Sequence, residues 1–305
     1  MMTSPFSSRI RLAGDGPECS RFVAGWWRLQ DWSLTTAQTI ELLEHYVSLG
    51  VTTMDHADIY GGYQCESLFG EALSESTLER DSLQVISKCG IALIDEARPQ
   101  HRVKHYDTSM AHIIASAEQS IKNLACDYLD VLLIHRPDPL MQADEIAQAF
   151  ETLQRDGKVR SFGVSNFTPS QFELLQSSWH QPLVTNQLEI SPLATQWLSD
   201  GSLDQCQRRQ IRPMAWSCLG GGRLLVAPEF EQVRQQLKPL MEAVGAESLE
   251  QLIYAWVMKL PSQPLPIIGS GKKARITSAV KAQGIELSRQ QWFELLECVS
   301  GQEVA

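Results

Sequence analysis

Four residue types that together can move a proton stand at the ends of apolar runs in this chain. Asp55 and Tyr60 follow Val51-Thr52-Thr53-Met54, Lys88 follows Leu83 to Ser87, and His135 follows Leu129 to Ile134. Reducing a carbonyl by hydride requires a proton for the developing alkoxide, and a free tyrosine with a pKa of about 10 releases it reluctantly near neutral pH. A nearby lysine ammonium favours tyrosinate and lowers that pKa, while Asp55 would pair with Lys88 and hold it. His135 would donate a hydrogen bond to the substrate oxygen. One lysine or histidine at a strand end is usually structural, but four such groups on one rim form a constellation.

The elements that must position them alternate. A turn-rich Ala13-Gly14-Asp15-Gly16-Pro17 lies between Ile10-Arg11-Leu12 and Arg21-Phe22-Val23, which predicts a small hairpin or plug. Thr35 to Leu49 has helical spacing with Thr36 as its cap, and Cys65 to Leu73 returns to that spacing after the Asp55 stretch. Strands are expected at Leu83 to Ser87, Leu129 to Ile134, Val159 to Val164, Leu183 to Gln187, Arg212 to Trp216 and Leu265 to Ile268. Helices alternate with them at Ser109 to Leu124, Asp144 to Arg155, Pro169 to Gln176, Leu203 to Gln210, Phe230 to Leu260 and Ala274 to Gln283. Continuous apolar strands such as Val131-Leu132-Leu133-Ile134 are those of a buried parallel sheet. The expected fold is an α/β (β/α)8 TIM barrel with a short N-terminal hairpin and a C-terminal helical tail, one domain over residues 1–305. A doubly wound sheet would carry GxGxxG in its first strand-helix turn, and Gly14-Asp15-Gly16 lacks the third glycine.

Composition narrows the partners. A formal charge of -10 on 305 residues argues against nucleic acid, which would want a basic face. Seven scattered cysteines without a CxxC pair or His/Cys metal spacing fit the reduced thiols of a cytoplasmic protein with no metal site. No apolar run approaches the roughly 18 residues of a membrane span, so no membrane partner is expected. Oligomeric state is not legible.

Strand ends are where a barrel builds its site, and Ser165, Asn166, Gln187, Trp216 and Ser217 also stand there. Trp26 and Trp27 follow the first strand and are expected to line an apolar substrate pocket with Tyr60 and His135. The Gly90 to Thr108 loop, carrying Arg98, His101, Arg102, Lys104 and His105, is either a lid or a solvated basic loop. Cys89 reads as a packing residue. Leu265 to Ile268 runs into Gly269-Ser270-Gly271-Lys272-Lys273-Ala274-Arg275, the strongest basic cluster of an acidic chain, where backbone N–H groups and a helix start can meet an anion. It is not a Walker loop, since Pro266 takes the first glycine position and Lys273 the Ser/Thr position.

Asp55-His56-Ala57-Asp58-Ile59-Tyr60-Gly61, Asp127-Tyr128-Leu129-Asp130 with His135, and Gly157-Lys158-Val159-Arg160-Ser161-Phe162-Gly163-Val164-Ser165-Asn166-Phe167 resemble the motifs of the aldo-keto reductase superfamily, in that family's order. The resemblance covers nearly the whole chain. It implies a catalytic tetrad of Asp55, Tyr60, Lys88 and His135 and an NADPH/NADP cofactor lying extended across the barrel mouth. It also implies that Ser165, Asn166 and Gln187 bind the nicotinamide carboxamide and that the ring stacks on Trp216, with Trp27, Ser217, Cys218, Leu219 and Gly220 beside it. Cys218 stands where the family commonly has proline. Ser270, Lys272 and Arg275 would hold the 2′-phosphate, with one of Lys272 and Lys273 pointing inward and Gly269 and Gly271 letting the backbone approach the cofactor. Ser278 and Ala279 replace a Glu-Asn pair that grips adenine in many members.

The implied activity is NADPH-dependent reduction of a small-molecule aldehyde or ketone. A slow-turnover sensing protein resembling potassium-channel β subunits is the alternative, though those subunits carry Asn at the place of His135. A Schiff-base lyase using Lys88 leaves Tyr60 without a task.

Overall fold

In the computed structural model of the chain, which describes residues 7–96 and 98–303, eight short strands close into a parallel barrel. Numbered in chain order with the others, the strands are β1 Arg9–Arg11, β2 Glu18–Ser20, β3 Val23–Gly25, β4 Thr53–Asp55, β5 Gln84–Cys89, β6 Ile91–Ala92, β7 His105–Tyr106, β8 Leu129–Ile134, β9 Val159–Ser165, β10 Asn186–Glu189, β11 Met214–Trp216 and β12 Leu265–Ile268. The barrel runs β3-β4-β5-β8-β9-β10-β11-β12, and β12 closes on β3 with Ile267 opposite Val23. Parallel strands covered on both faces by other elements must be apolar throughout, and every residue of β8 is buried.

Several of the longer helices start where the chain supplies a side-chain acceptor for their free N–H groups. Thr35, one residue earlier than expected, caps Thr36–Ser48 in a reciprocal pair with Gln38, and Thr168 does the same with Gln171 for Pro169–Ser178. The helical region expected from Phe230 to Leu260 is three helices, Glu231–Gln236, Lys238–Val244 and Leu249–Met258. Gly245 ends the second in the left-handed region at φ 70°, and Ser248 caps the third. The remaining expected helices fall within two residues of their expected bounds, Cys65–Glu75 among them.

The N-terminal hairpin is β1 against β2, three residues earlier in its second arm than expected, because Val23 belongs to the barrel. It covers the N-terminal face of the barrel: Leu12 is buried, and its carbonyl accepts from the Arg212 N–H at 2.7 Å ahead of β11. The C-terminal helix Arg289–Ser300 docks through Trp292, which stacks on Trp256 at 4.7 Å while each indole N–H donates to the other's carbonyl. The strand expected from Leu183 lies at β10, starting at Asn186, and β11 starts at Met214 after Pro213.

Candidate active site

The C-terminal ends of β4, β5 and β8 bring Asp55, Lys88 and His135 to one place. The turn after β4 adds Tyr60, whose phenol is aimed by two residues in the left-handed region, Gly61 (φ 59°) and Gly62 (φ 60°). Gly61 has no room for a side chain: a Cβ there would stand 2.5 Å from Gln30 Oε1 and 2.6 Å from Cys65 Sγ.

Lys88 is the hub. Its fully buried ammonium donates to Asp55 Oδ2 at 2.9 Å, to the His56 carbonyl at 2.7 Å and to Tyr60 Oη at 2.9 Å. A lysine has three donors, so none is left over. Gln187 Nε2 donates to the other Asp55 oxygen at 2.8 Å, which ties the β10 side of the barrel to the β4 side. The His135 ring stands edge-on to Tyr60 at 5.9 Å, with its Nδ1 buried without a partner, leaving Nε2 as the nitrogen available to the cleft.

Burial and charge then set the protonation states. Burial lowers the Lys88 pKa, but Asp55 and Tyr60 outweigh it and hold the ammonium above its ordinary value. Burial pushes the Tyr60 phenol up, and Lys88 only partly opposes it. Lys88 acts on Tyr60 in the expected direction, but desolvation of the phenolate outweighs it, so Tyr60 keeps its proton at neutral pH. Burial, Lys88, Arg136 and Lys104 together push His135 well below the usual imidazole range, so it is neutral. A charged, fully bonded lysine also stands against Schiff-base chemistry, which needs a free neutral amine.

The other half of the rim is held by its backbone. Asn166 after β9 and Ser217 after β11 both take left-handed conformations, at φ 60° and φ 50°. Asn166 Nδ2 donates to Ser165 Oγ at 2.7 Å, and Trp216 Nε1 donates to Asn166 Oδ1 at 3.2 Å. A cleft of about 770 Å³ runs from Trp27, Tyr60 and His135 past Ser165, Asn166, Gln187 and Trp216 to Gly269, Ser270 and Arg275. Ser217, Cys218 and Leu219 line it between those ends.

Several candidate residues lie elsewhere. Trp26 is core: it stacks parallel to His56 at 6.2 Å and meets Phe69 edge-on at 4.9 Å, while Trp27 is 57% exposed at the cleft. Neighbouring residues leaving a strand point to opposite sides, so only one of the pair can face the substrate. Lys272 is exposed outside the cleft wall, and Lys273 pairs with Glu41 at 2.9 Å, so neither points inward. Gly271 packs against Trp32, with a Cβ position 2.8 Å from the indole, and Gly220 against Leu193; Gly221 and Gly222 line the cleft instead. Cys218 does line the cleft, but it is nearly buried and its thiol donates to the Ala215 carbonyl at 3.3 Å. Ser278 turns to Ser248 and Gln251, and Ala279 is buried.

The Gly90 to Thr108 loop is a second hairpin, β6 against β7, and it contributes Ile91, Leu93, Lys104 and Tyr106 to the cleft. Ala97 in this loop lies outside the described residues. Sequence reasoning missed Arg28, Glu250 and Tyr254 as cleft residues. Glu250 forms an ion pair with Arg275 at 3.5 Å, and its place in the first turn of a helix after a cap serine was the available signal.

The geometry has counterparts. A sequence model described as the Aldo/keto reductase family matches residues 21–300. The chain is 56% identical to the Escherichia coli protein named oxidoreductase YdhF, over 97% of this chain and 99% of that one. It is 41% identical, over the same shares, to a 6-dehydroglucose reductase of Agrobacterium fabrum. A crystal structure of a thermostable aldo-keto reductase with the inhibitor epalrestat superposes with a TM-score of 0.80 at 27% identity, covering 96% of this chain and 99% of that one.

Proposed function

The chain belongs to the aldo/keto reductase family of oxidoreductases, and from that footing we propose that it is an NADPH-dependent reductase of aldehydes or ketones with Tyr60 as its proton donor. The observation that carries this reading is the Lys88 ammonium held 2.9 Å from both Asp55 Oδ2 and Tyr60 Oη.

The cleft fits an extended dinucleotide in the chemistry of its walls. Trp216 offers a half-buried aromatic face, Asn166 and Gln187 offer amide groups for a carboxamide, and Ser270 and Arg275 offer donors for a phosphate at the far end. Arg275 would read the adenosine 2′-phosphate, which is why NADPH is preferred over NADH in this reading. When bound, the reduced nicotinamide supplies the hydride to the carbonyl carbon.

The rest falls to the protein. His135, neutral, donates from Nε2 to the carbonyl oxygen and orients it. Tyr60 gives its hydroxyl proton to that oxygen as negative charge develops there, completing the alcohol. The tyrosinate left behind lies against Lys88, whose charge Asp55 and Gln187 hold in place, and it regains a proton from solvent. Seven unpaired cysteines suit a reducing compartment, and the cytoplasm is the location this reading assumes.

The test is oxidation of NADPH and NADH, followed by absorbance, against a panel of aldehydes, ketones and dehydrosugars. Carbonyl-dependent oxidation with NADPH favoured is expected; oxidation with no carbonyl in the panel would overturn the assignment.

A further inference from the structure

The charges lining the cleft are unevenly distributed. Its two acids are both occupied: Asp55 by Lys88 and Gln187, and Glu250 by Arg275. Its remaining cations are Arg28, Lys104 and Arg136, and among the described residues none of these three forms an ion pair. Other basic side chains of this acidic chain do find carboxylates, as Lys273 finds Glu41 and Lys281 finds Glu247.

The three come from different elements, and each lines the cleft. Arg28 follows β3 and lies over the exposed face of Trp27, 5.1 Å from the ring centre. Lys104 precedes β7 and reaches the cleft from the small hairpin. Arg136, next to His135, lies 5.8 Å from the Trp216 ring centre, and the Glu189 carboxylate feels it without pairing. Arg136 and Lys104 are both close enough to His135 to disfavour its charged form. Apolar and aromatic residues, Trp27, Tyr106, Ile91 and Leu93, line the same cleft.

Unpaired cations around an apolar pocket raise the local concentration of anions and grip one that enters. Resting on the reductase reading above, we propose that the preferred substrate is an anionic carbonyl compound, an aldehyde or ketone joined through an apolar body to a carboxylate or sulfonate. The carbonyl sits at Tyr60 and His135, the apolar body lies against Trp27 and Tyr106, and the oxoanion stays at the mouth among Arg28, Lys104 and Arg136.

The test compares 4-carboxybenzaldehyde and 4-formylbenzenesulfonate with methyl 4-formylbenzoate, which presents the same aldehyde without the charge. Wild-type protein is expected to favour the anions in kcat/KM by about tenfold, the scale of one charge-assisted hydrogen bond, and raising the salt should shrink the preference. Lys104→Gln, Arg28→Gln and Arg136→Gln should each reduce the ratio of anion to ester, mainly through KM. Binding gives a readout without turnover: benzoate should quench tryptophan fluorescence of the protein in oxidised cofactor at lower concentration than benzamide, and less so in the variants. A neutral ester reduced as well as the anions, or a ratio untouched by all three substitutions, overturns the proposal while leaving the reductase standing. No reduction of any of the three aldehydes overturns both. A variant that raises only the KM for cofactor removes its residue from the anion site.

Discussion

The two halves of the barrel rim hold their side chains by different means. Around β4, β5 and β8, side chains fix one another: Lys88 spends all three donors on Asp55, His56 and Tyr60, and the groups are buried. Around β9 and β11 the backbone does the fixing, with Asn166 and Ser217 in left-handed conformations and Gly220 to Gly222 turning the chain. Proton transfer depends on distances between charges, which only direct bonds among the reacting groups can set. Holding an extended ligand depends on the shape of a wall, which these turns set together with the hydrogen bonds of Asn166 to Ser165 and of Trp216 to Asn166.

The largest effect should come from breaking the bonded half at its reacting atom. Tyr60→Phe is expected to keep cofactor binding and lower kcat by about 10²–10⁴-fold, the scale of a lost general acid. Steady-state kinetics on a good aldehyde checks it, and a wild-type rate would remove Tyr60 as the donor.

Next is the hub of the same half. Lys88→Met leaves Asp55 buried with Gln187 as its donor, and loss of one partner of a buried pair costs about 3–5 kcal/mol. Denaturant unfolding should show that loss, and the apparent pKa governing reduction should rise further because nothing then opposes burial of the Tyr60 phenol. The sign of the pH dependence follows from Lys88 being raised above 10.5: its stabilisation is intact below that pH and fades as pH climbs through the folded value. Unchanged stability together with an unchanged pH-rate profile would show that the hub holds nothing.

On the turn-built half, removing a side chain should cost binding and spare chemistry. Arg275→Ala is expected to weaken NADPH by about 1.5 kcal/mol, near the low end for a charged hydrogen bond because Glu250 already engages the guanidinium. NADH should scarcely notice. Fluorescence titration of both cofactors checks this, and equal losses would mean that Arg275 does not read the 2′-phosphate.

The smallest effect sharpens the contrast most. A non-glycine residue in the left-handed region costs about 1–2 kcal/mol, partly offset in a glycine by extra freedom of the unfolded chain. Ser217→Gly should therefore stabilise the fold by under about 1 kcal/mol in thermal unfolding. Marked destabilisation would show that the Ser217 side chain, rather than its backbone, holds the turn.

Why some of this was legible and some was not follows from range. Asp55, Lys88 and His135 could be found because each ends an apolar run and strand ends share one rim; β8 was placed to the residue for the same reason. The direction of the Tyr60 shift could not, since it depends on how much water the closed barrel excludes, a sum over distant elements. Trp26 and Trp27 are adjacent and alike, and only the exit direction from β3 separates core from cleft. One of Lys272 and Lys273 was expected inward from the charge of their neighbourhood, whereas Glu41, on a helix more than two hundred residues earlier, takes Lys273 outward.

The small hairpin of β6 and β7 has a consequence for how relatives of this protein can diverge. It meets itself through two residue pairs and leans on Tyr63, whose hydroxyl accepts from the Leu93 N–H and whose ring lies against Arg98, outside the strand ladder that closes the barrel. Substitutions at Lys104 or Tyr106 therefore alter the mouth without disturbing Lys88 and its three bonds. Mutational drift in that hairpin can retune which molecules enter, generation by generation, while the proton chemistry beneath it is inherited intact.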